Sequence, residues 1–240
     1  MKRPFVVCHM LTSVDGKIDG PFFGAAETAP ALQLYGELRN VYQCQATIYG
    51  MATILGSYSD GLLPELPPAE EILPKEDYIS PYGRNAEQFI VAVDPQGTAA
   101  FSSPVMEKKG RPAAHIIEVL TESASPAYLS YLRSIGISYV FAGEKQIHCA
   151  VLLEKLVQYF SVDKVMVAGG GIMNESFLQE GLIDELSWVI APVVDGNTES
   201  ASLFDKAAFL PEGRPVAFHL KEANVREGHV LWLRYSRVSA

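Results

Sequence analysis

The sequence predicts one α/β domain over residues 1–240, with a sheet that is parallel at its centre and antiparallel at one edge. Strand-like and helix-like segments alternate along most of the chain, without an internal repeat or a linker. A small, partly β-branched run at residues 165–168 stops at three consecutive glycines, and a helical pattern follows. Near the C-terminus, two strand-like segments flank Glu227 and Gly228, which indicates a β-hairpin.

Each predicted element rests on a local pattern of apolar residues. Continuous apolar runs predict buried strands, and apolar residues spaced by three or four predict amphipathic helices. Ser125 followed by Pro126 is typical of a helix start, and residues 50–55 predict another. The predicted strands are residues 5–11, 46–49, 89–93, 115–120, 137–142, 165–168, 186–192, 216–224 and 229–235. The other helical patterns cover residues 27–43, 151–160 and 174–180.

The least regular stretch is residues 57–88, which contains five prolines. Proline at this density excludes a long helix or a central strand, because it lacks a backbone donor and restricts its neighbours. A loop of this length within a compact domain is usually functional or mobile. Two interpretations stay open, namely a lid over the site and a subunit-contact loop.

Composition excludes several classes of function. Acidic residues outnumber basic ones by 28 to 19, for a net charge of −9, so nucleic acid is not an expected partner. No apolar stretch approaches the roughly 20 residues of a membrane-spanning helix. The five histidines show no metal-ligand spacing, so no metal site is expected. Cys8, Cys44 and Cys149 are isolated and odd in number, which favours a reducing, cytoplasmic setting.

Three predicted strands are followed by residues suited to binding a ligand. Residues 12–17 combine hydroxyl, carboxylate and ammonium groups, Gly50 and Thr53 stand at a helix start, and Gly169–Gly171 precede another helix. A helix that begins after bare glycines presents unpaired N–H groups and a positive dipole end to a phosphate. Ordinary turns without a ligand are the alternative for each segment. All three would lie at the carboxyl edge of a parallel sheet, where open α/β sheets bind ligands.

The residues resemble the reductase domain of bacterial riboflavin biosynthesis, a branch of the dihydrofolate reductase-like superfamily. The matching motifs span nearly the whole chain and occur at residues 13–18, 50–55, 168–171, 181–186 and 191–193. The resemblance implies a three-layer α/β/α fold and commonly a homodimer. It also implies a nicotinamide cofactor, usually NADPH with NADH as the open alternative, and a small-molecule substrate.

The same resemblance suggests roles for individual residues. Asp15 would orient the substrate and assist proton transfer, and Lys17 would bind a substrate phosphate or hydroxyl, although a solvated turn lysine is the alternative. Together with Ser13 they form the expected substrate site, and Asp15 and Lys17 are the expected catalytic residues. The residues expected to contact the cofactor are Gly50, Thr53, Gly169, Gly170, Gly171, Ile172 and Met173.

The chain departs from the family pattern at three places. Ala168 replaces a glutamate, residues 57–63 replace an Asp-Asp-Pro stretch, and Asp94-Pro95-Gln96 replaces Asp-Ser-Arg. A basic contact to the NADPH 2′-phosphate would then come from Arg84, Lys108 or Arg111. We expect no paired deaminase domain, because its zinc-binding motifs do not occur in this sequence.

These observations lead to one leading functional hypothesis and two alternatives. The first is an NADPH-dependent oxidoreductase resembling 5-amino-6-(5-phosphoribosylamino)uracil reductase, which reduces a ribosyl group to ribityl by hydride transfer. The second is a reductase of the same superfamily acting on another small carbonyl, imine or pterin. The third is a nucleotide-binding protein without turnover.

Overall fold

The computed structural model describes residues 3–63, 65–66, 73–210 and 212–238. The strands in chain order are β1 (Phe5–Thr12), β2 (Ala46–Gly50), β3 (Phe89–Val93), β4 (Val105–Met106), β5 (Ala114–Leu120), β6 (Ser138–Phe141), β7 (Lys164–Val167), β8 (Glu185–Ile190), β9 (Phe218–Arg226) and β10 (Val230–Arg237). The α-helices are α1 (Ala29–Tyr42), α2 (Met51–Ser57), α3 (Pro81–Arg84), α4 (Pro126–Ile135), α5 (Cys149–Phe160) and α6 (Gly171–Gln179).

The predicted strands are all present, and their ends differ from the prediction by at most two residues. Three helices begin elsewhere than predicted. α1 begins at Ala29 instead of residue 27, because residues 26–28 form a separate 3-10 turn. α5 begins at Cys149, two residues earlier than predicted. α6 begins at Gly171, three residues earlier than predicted, and the extended Gly170 is its N-cap. The hairpin connection is the three-residue 3-10 turn Glu227–His229 rather than a two-residue turn.

The chain divides into two compact units. The middle unit contains Gln45–Asp163 together with Met1–Pro4, and the terminal unit contains Phe5–Cys44 and Lys164–Ala240. Each unit has its own parallel strands and helices. The single domain over residues 1–240 stays a prediction.

In the middle unit, β5 is the strand with the most partners. It pairs in parallel with β3 and β6, and β3 pairs in parallel with β2. The short β4 runs antiparallel to the first residues of β5. The connections that follow β2, β3, β5 and β6 therefore leave the unit's sheet at one carboxyl edge, whereas the β4–β5 connection lies at the amino end of β5.

In the terminal unit, the strand order is β7–β1–β8–β10–β9. β7, β1 and β8 are parallel, whereas β10 and β9 form the C-terminal antiparallel hairpin, so the predicted mixed arrangement is confirmed. The connections after β7, β1 and β8 share the carboxyl edge of these three strands. Helix α1 covers one sheet face through a buried cluster that includes Leu38, Val189 and Trp232.

The described residues before and after the gap in the proline-rich stretch are both attached to the middle unit. On the first side, the Leu63 N–H donates to the Thr98 carbonyl over 2.8 Å. On the second, Tyr78 forms a β-bridge with Tyr139 of β6, and Asp77 pairs with Lys155 at 2.7 Å. The hypotheses of a lid and of a subunit-contact loop for residues 57–88 stay predictions, and residues 64 and 67–72 of this stretch lie outside the described residues.

Candidate functional site

The glycine turn at the start of α6 leaves the amino end of that helix accessible. Gly169 has a left-handed φ of 103°, and the Gly169–Gly170 peptide is cis. Gly170 is the N-cap residue, and neither a side-chain cap nor an acidic residue in the first turn is present in this described helix. The first N–H groups and the positive end of the helix dipole are therefore available to an anion such as a pyrophosphate.

The second and third glycines of this turn have different surroundings. A Cβ added to Gly170 would meet no described atom within 4 Å, so its Cα faces open space. A Cβ added to Gly171 would clash with the Ser202 carbonyl oxygen and would lie 2.6 Å from Asp205 Oδ2. Gly171 is thus required by packing inside the protein, whereas Gly170 offers bare backbone to a ligand.

The Asp15 carboxylate, in the turn after β1, holds two segments of the terminal unit together. It accepts hydrogen bonds from the Ser13 hydroxyl at 2.6 Å and from the N–H groups of Asp195 and Gly196, both at 2.9 Å. These bonds, that from Ser13 foremost, hold the pKa of Asp15 well below its usual range. Asp15 is therefore an ionised acceptor that fixes the connection between β8 and β9.

Lys17 reaches the same β8–β9 connection from the other side of the turn. Its ammonium group donates to the Ser200 carbonyl at 2.8 Å and approaches the Ser202 hydroxyl at 3.4 Å. Its backbone forms a β-bridge with Ser202, and its N–H donates to the buried Ser13 hydroxyl at 2.9 Å. Lys17 is thus part of the internal hydrogen bonding, and the predicted Ser13, Asp15 and Lys17 act on one loop.

The β8–β9 connection also contacts the start of α6. The Asp205 N–H donates to the Gly171 carbonyl at 3.1 Å, and the buried Asn174 side chain donates to the Leu203 carbonyl at 2.8 Å. The Leu203 N–H in turn donates to the Gly16 carbonyl at 3.0 Å. The turn after β1 and the glycine turn after β7 are therefore brought together through residues 202–205.

Sequence reasoning did not select Asp195 and Asp205 of the β8–β9 connection, or Asn174 of α6, as site residues. Asp195 joins the β8–β9 connection to an earlier segment of the chain. Its carboxylate accepts hydrogen bonds from the Ser200 hydroxyl at 2.8 Å and from the Phe22 N–H at 3.2 Å. The Asp195-Gly196 turn signal after the strand was recognisable, but a turn signal carries no information about remote partners. Asp205 and Asn174 had no local signal at all.

Gly50 and Thr53 belong to the middle unit. Gly50 ends β2 and is the N-cap of α2, without a side-chain cap in the described structure. Thr53 is half-buried in the first turn, and its hydroxyl makes no hydrogen bond within the described residues. Both residues therefore stand at the carboxyl end of a parallel strand, as the sequence indicated.

The basic side chains suggested for a 2′-phosphate have other partners in the middle unit. Lys108 donates to the Ser57 carbonyl at 2.5 Å, and Arg111 donates to the Tyr58 hydroxyl at 2.7 Å. Both contacts are at the C-terminal end of α2, and both residues belong to the β4–β5 connection at the amino end of β5. Arg84 bonds locally to the Ile79 carbonyl at 3.4 Å. Arg111 also donates to the hydroxyl of Tyr49, the penultimate residue of β2, at 3.3 Å.

The described residues contain neither a metal-ligand cluster nor a membrane-spanning helix. No group of three or more His, Cys, Asp or Glu side chains is arranged to hold a metal ion. No described helix is both long enough and apolar enough to cross a membrane.

Comparison with known proteins identifies relatives over nearly the whole chain. The chain is 27% identical over 209 residues to the 2,5-diamino-6-ribosylamino-4(3H)-pyrimidinone 5′-phosphate reductase of Methanothermobacter thermautotrophicus, covering 85% of this chain and 84% of the relative. It is 23% identical over 237 residues to the protein of the same name from Archaeoglobus fulgidus, covering 98% and 100%. Among solved structures, a pyrimidine reductase-like protein from Corynebacterium diphtheriae superposes with a TM-score of 0.68 at 18% identity, covering 99% of this chain and 93% of the other.

The structural match shows the fold, and the predicted dihydrofolate reductase-like class is confirmed by it. The model of the family described as the RibD C-terminal domain matches residues 4–230. The resemblance to riboflavin-biosynthesis reductases is thereby confirmed. Because the match includes both the turn after β1 and the glycine turn, this protein belongs to the family of RibD C-terminal domains.

Proposed function

We propose that this protein is an NADPH-dependent reductase that converts the ribosyl group of a phosphoribosylaminopyrimidine into a ribityl group. Family membership and the names of both archaeal relatives support this proposal. Those names make the 2,5-diamino-pyrimidinone phosphate the first substrate to test, and 5-amino-6-(5-phosphoribosylamino)uracil the second. The proposed reaction opens the ribose ring: a hydride is delivered to the ribosyl C1, the bond between C1 and the ring oxygen breaks, a proton ends on that oxygen, and the bond between C1 and the amino nitrogen is kept.

The observation that carries the proposal is the uncapped start of α6 beside the open Cα of Gly170. We propose that Gly169, Gly170, Gly171, Ile172 and Met173 hold the cofactor pyrophosphate there, since free N–H groups and the helix dipole favour a negative group. A bound nicotinamide cofactor supplies the hydride, so the protein needs neither a metal nor a nucleophile for this step. Its task is to bind, orient and exclude water.

The contacts of the substrate-site residues favour positioning over proton transfer. The lowered pKa of Asp15, caused first by the Ser13 hydroxyl bond, makes this carboxylate both a weak base and a poor proton donor near neutral pH. We therefore propose that Asp15 and Lys17 hold the β8–β9 connection beside the start of α6, and that Ser13 orients Asp15. Contact between these three residues and the substrate is also a proposal, and it depends on the position of the β8–β9 connection.

Gly50 and Thr53 are proposed as further cofactor contacts. The Thr53 hydroxyl makes no hydrogen bond to the described residues and is free to donate to a ligand. NADPH is proposed over NADH on the resemblance. Arg84, Lys108 and Arg111 stay the proposed sources of a basic contact to the 2′-phosphate, although each donates to another group of the protein in this structure.

A homodimer in the cytoplasm completes the proposal. The resemblance supports the homodimer. The three cysteines, all among the described residues, support a reducing compartment, because none of them forms a disulfide bond and two, Cys8 and Cys149, are buried.

The test is a turnover assay with purified protein, both pyrimidine substrates and both reduced nucleotides. The expected result is substrate-dependent oxidation of NADPH with a ribityl product identified by mass spectrometry. Nucleotide binding without oxidation by either substrate would contradict the proposed substrate class. It would favour another small carbonyl, imine or pterin, a possibility that Ala168 raises by removing the family's carboxylate. If neither nucleotide binds, the proposed cofactor site is wrong.

A further inference from the structure

The side chain of Asn174 lies in the first turns of α6, and one end of its amide has no partner. Asn174 is fully buried. Its amide NH₂ donates to the Leu203 carbonyl at 2.8 Å, whereas its Oδ1 atom has no hydrogen-bond partner among the described residues. A rotated amide would bring two oxygen atoms together, so the Leu203 carbonyl fixes the orientation of this side chain.

The unpaired oxygen shows which property of asparagine is used at this position. A buried acceptor without a partner costs free energy, so its presence needs a reason. An aliphatic side chain of similar size would fill the same space without a buried oxygen atom. It could not supply the donor to the Leu203 carbonyl. The bond from Asn174 to Leu203 is therefore what distinguishes asparagine from an apolar residue here.

Leu203 joins α6 to the turn after β1. Its carbonyl accepts the Asn174 amide, and its own N–H donates to the Gly16 carbonyl at 3.0 Å. The neighbouring Ser202 forms a β-bridge with Lys17. The position of Leu203 therefore determines where the turn that contains Asp15 lies relative to the start of the helix.

The other bond between α6 and residues 202–205 does not depend on a side chain of the helix. It runs from the Asp205 N–H to the Gly171 carbonyl over 3.1 Å, so both groups belong to the backbone. Within the described part of the chain, Asn174 supplies the side-chain hydrogen bond from α6 to this segment. A change at position 174 therefore acts directly on the connection between the two turns.

We propose that Asn174 is a positioning residue, which holds the turn after β1 at a fixed distance from the amino end of α6. The role rests on the proposed function, in which the cofactor pyrophosphate lies at the helix start and the substrate beside Asp15. Asn174 itself touches neither ligand. Its effect comes through Leu203 and Gly16, and a displacement of about 1 Å between reacting groups costs on the order of a hundredfold in rate.

The first test is steady-state kinetics of Asn174→Leu, beside a titration with NADPH. We expect kcat/KM to fall at least about tenfold, because the two turns are no longer held in place. The dissociation constant of NADPH should stay within about twofold of the wild-type value, since the N–H groups of the first helical turn are unchanged. Wild-type turnover in this variant would overturn the proposal. A wild type that binds no nucleotide would instead contradict the proposed function.

Tyr42→Phe is the matched control. It removes a buried hydroxyl that donates to Glu185 at 2.6 Å, at the amino end of β8 and thus away from the carboxyl edge. This variant should unfold at a lower urea concentration than the wild type and keep wild-type kinetics. A loss of turnover in Tyr42→Phe equal to that in Asn174→Leu would show that lost stability alone explains the effect, and would overturn the positioning role.

The second test uses Asn174→Asp, which nearly keeps the shape of the side chain and serves also if Asn174→Leu does not fold. Its carboxyl group can donate to Leu203 only when protonated, and burial favours that form. The ratio of variant to wild-type kcat/KM should therefore rise as the pH is lowered from about 8 to about 6. The nearby charged groups of Asp205 and Lys17 are present in both proteins, so the ratio corrects for them. A ratio that is equally low at both pH values would overturn the proposal.

Hydrogen exchange measured by NMR tests the same connection without turnover. The N–H groups of Leu203 and Asp205 should exchange at least about tenfold faster in Asn174→Leu than in the wild type, because the segment opens more readily. They should exchange at the wild-type rate in Tyr42→Phe. Unchanged exchange in Asn174→Leu would overturn the positioning role, whichever substrate the protein reduces.

Discussion

The Asp15 carboxylate accepts the N–H of Asp195 at 2.9 Å, although 180 positions separate the two residues in the sequence. Asp15 follows β1, whereas Asp195 follows β8, and these strands are parallel neighbours. The adjacent bond to Gly196 has the same length. One carboxylate therefore ties together two turns at the carboxyl edge of the terminal unit.

Replacing Asp15 by Asn should lower turnover and leave nucleotide binding intact. Asn has one side-chain oxygen, so the N–H groups of Asp195 and Gly196 cannot both keep their acceptor, and the amide NH₂ would face a donor. We expect kcat/KM to fall about ten- to a hundredfold, as misplacement of a positioned loop commonly does. The measurement is steady-state kinetics beside a nucleotide titration.

Asp19→Asn is the matched control, because within the described residues the Asp19 carboxylate bonds only to the N–H of the next residue, Gly20. It should retain wild-type kinetics. Unchanged turnover in Asp15→Asn would show that the bonds to the β8–β9 connection do not matter for the reaction.

Alanine at Gly170 and at Gly171 should separate ligand binding from packing. Gly170→Ala should cost about 1 kcal/mol of stability or less at this N-cap position but weaken nucleotide affinity at least about tenfold. Gly171→Ala should lower the free energy of unfolding by about 1–3 kcal/mol, because its Cβ clashes with the Ser202 carbonyl. Urea unfolding and nucleotide titration measure the two effects.

Gly36→Ala, in α1, provides the control because its Cβ also meets open space. This helix substitution should add up to about 1 kcal/mol of stability and leave nucleotide affinity unchanged. Equal affinity in the wild type and Gly170→Ala would argue against a ligand at the glycine turn.

Two buried histidines should make the protein less stable in mild acid. Burial lowers the pKa of His9 and of His115 from 6.5 to about 4 in each case. Each ring is neutral when folded but gains a proton when unfolded below pH 6.5, so its contribution to stability is lost as the pH falls from 6.5 toward 4. Each should contribute a slope of up to about 1.4 kcal/mol per pH unit.

The check is chemical unfolding at several pH values for His9→Gln and His115→Gln. In each variant, the slope of the free energy of unfolding against pH should correspond to about one proton fewer taken up on unfolding than in the wild type. His9→Gln should also lose stability at every pH, because His9 stacks on Tyr35 with ring centroids 4.4 Å apart. An unaltered slope in both variants would contradict the assignment.

Glu118 should have the opposite pH dependence. Its side chain is fully buried, and both carboxyl oxygens lack a partner in the described structure. Burial, and secondarily the charge of Asp94, raise the pKa of Glu118 well above 4.5. The folded protein therefore holds a proton that the unfolded chain releases, so this contribution is fully present below pH 4.5 and is lost as the pH rises.

Glu118→Gln keeps the shape of the protonated acid and cannot ionise. The variant should be more stable than the wild type at pH 8, by about 1 kcal/mol or more, and the difference should vanish near pH 4. Glu122→Gln at an exposed position is the control and should change stability by less than about 0.5 kcal/mol. A variant less stable than the wild type at pH 8 would show that the carboxylate has a favourable partner.

Local patterns were sufficient for the elements of this fold. The strand at residues 89–93 was predicted to the residue, and Ser125 caps α4 by accepting the Tyr128 N–H at 3.1 Å. The glycine turn and the C-terminal hairpin were also visible. Such features depend on backbone preferences and apolar periodicity within a few neighbouring residues, and both can be determined from the sequence.

The partners of the site residues depended on the tertiary structure. Sequence reasoning selected Asp15 and Lys17 as substrate contacts, yet their bonds are to a connection that begins about 180 residues later. The place of Asp205 beside Gly171 was equally invisible. Strand register and loop packing bring remote segments to within hydrogen-bond distance, and no property of either segment alone records the distance between them.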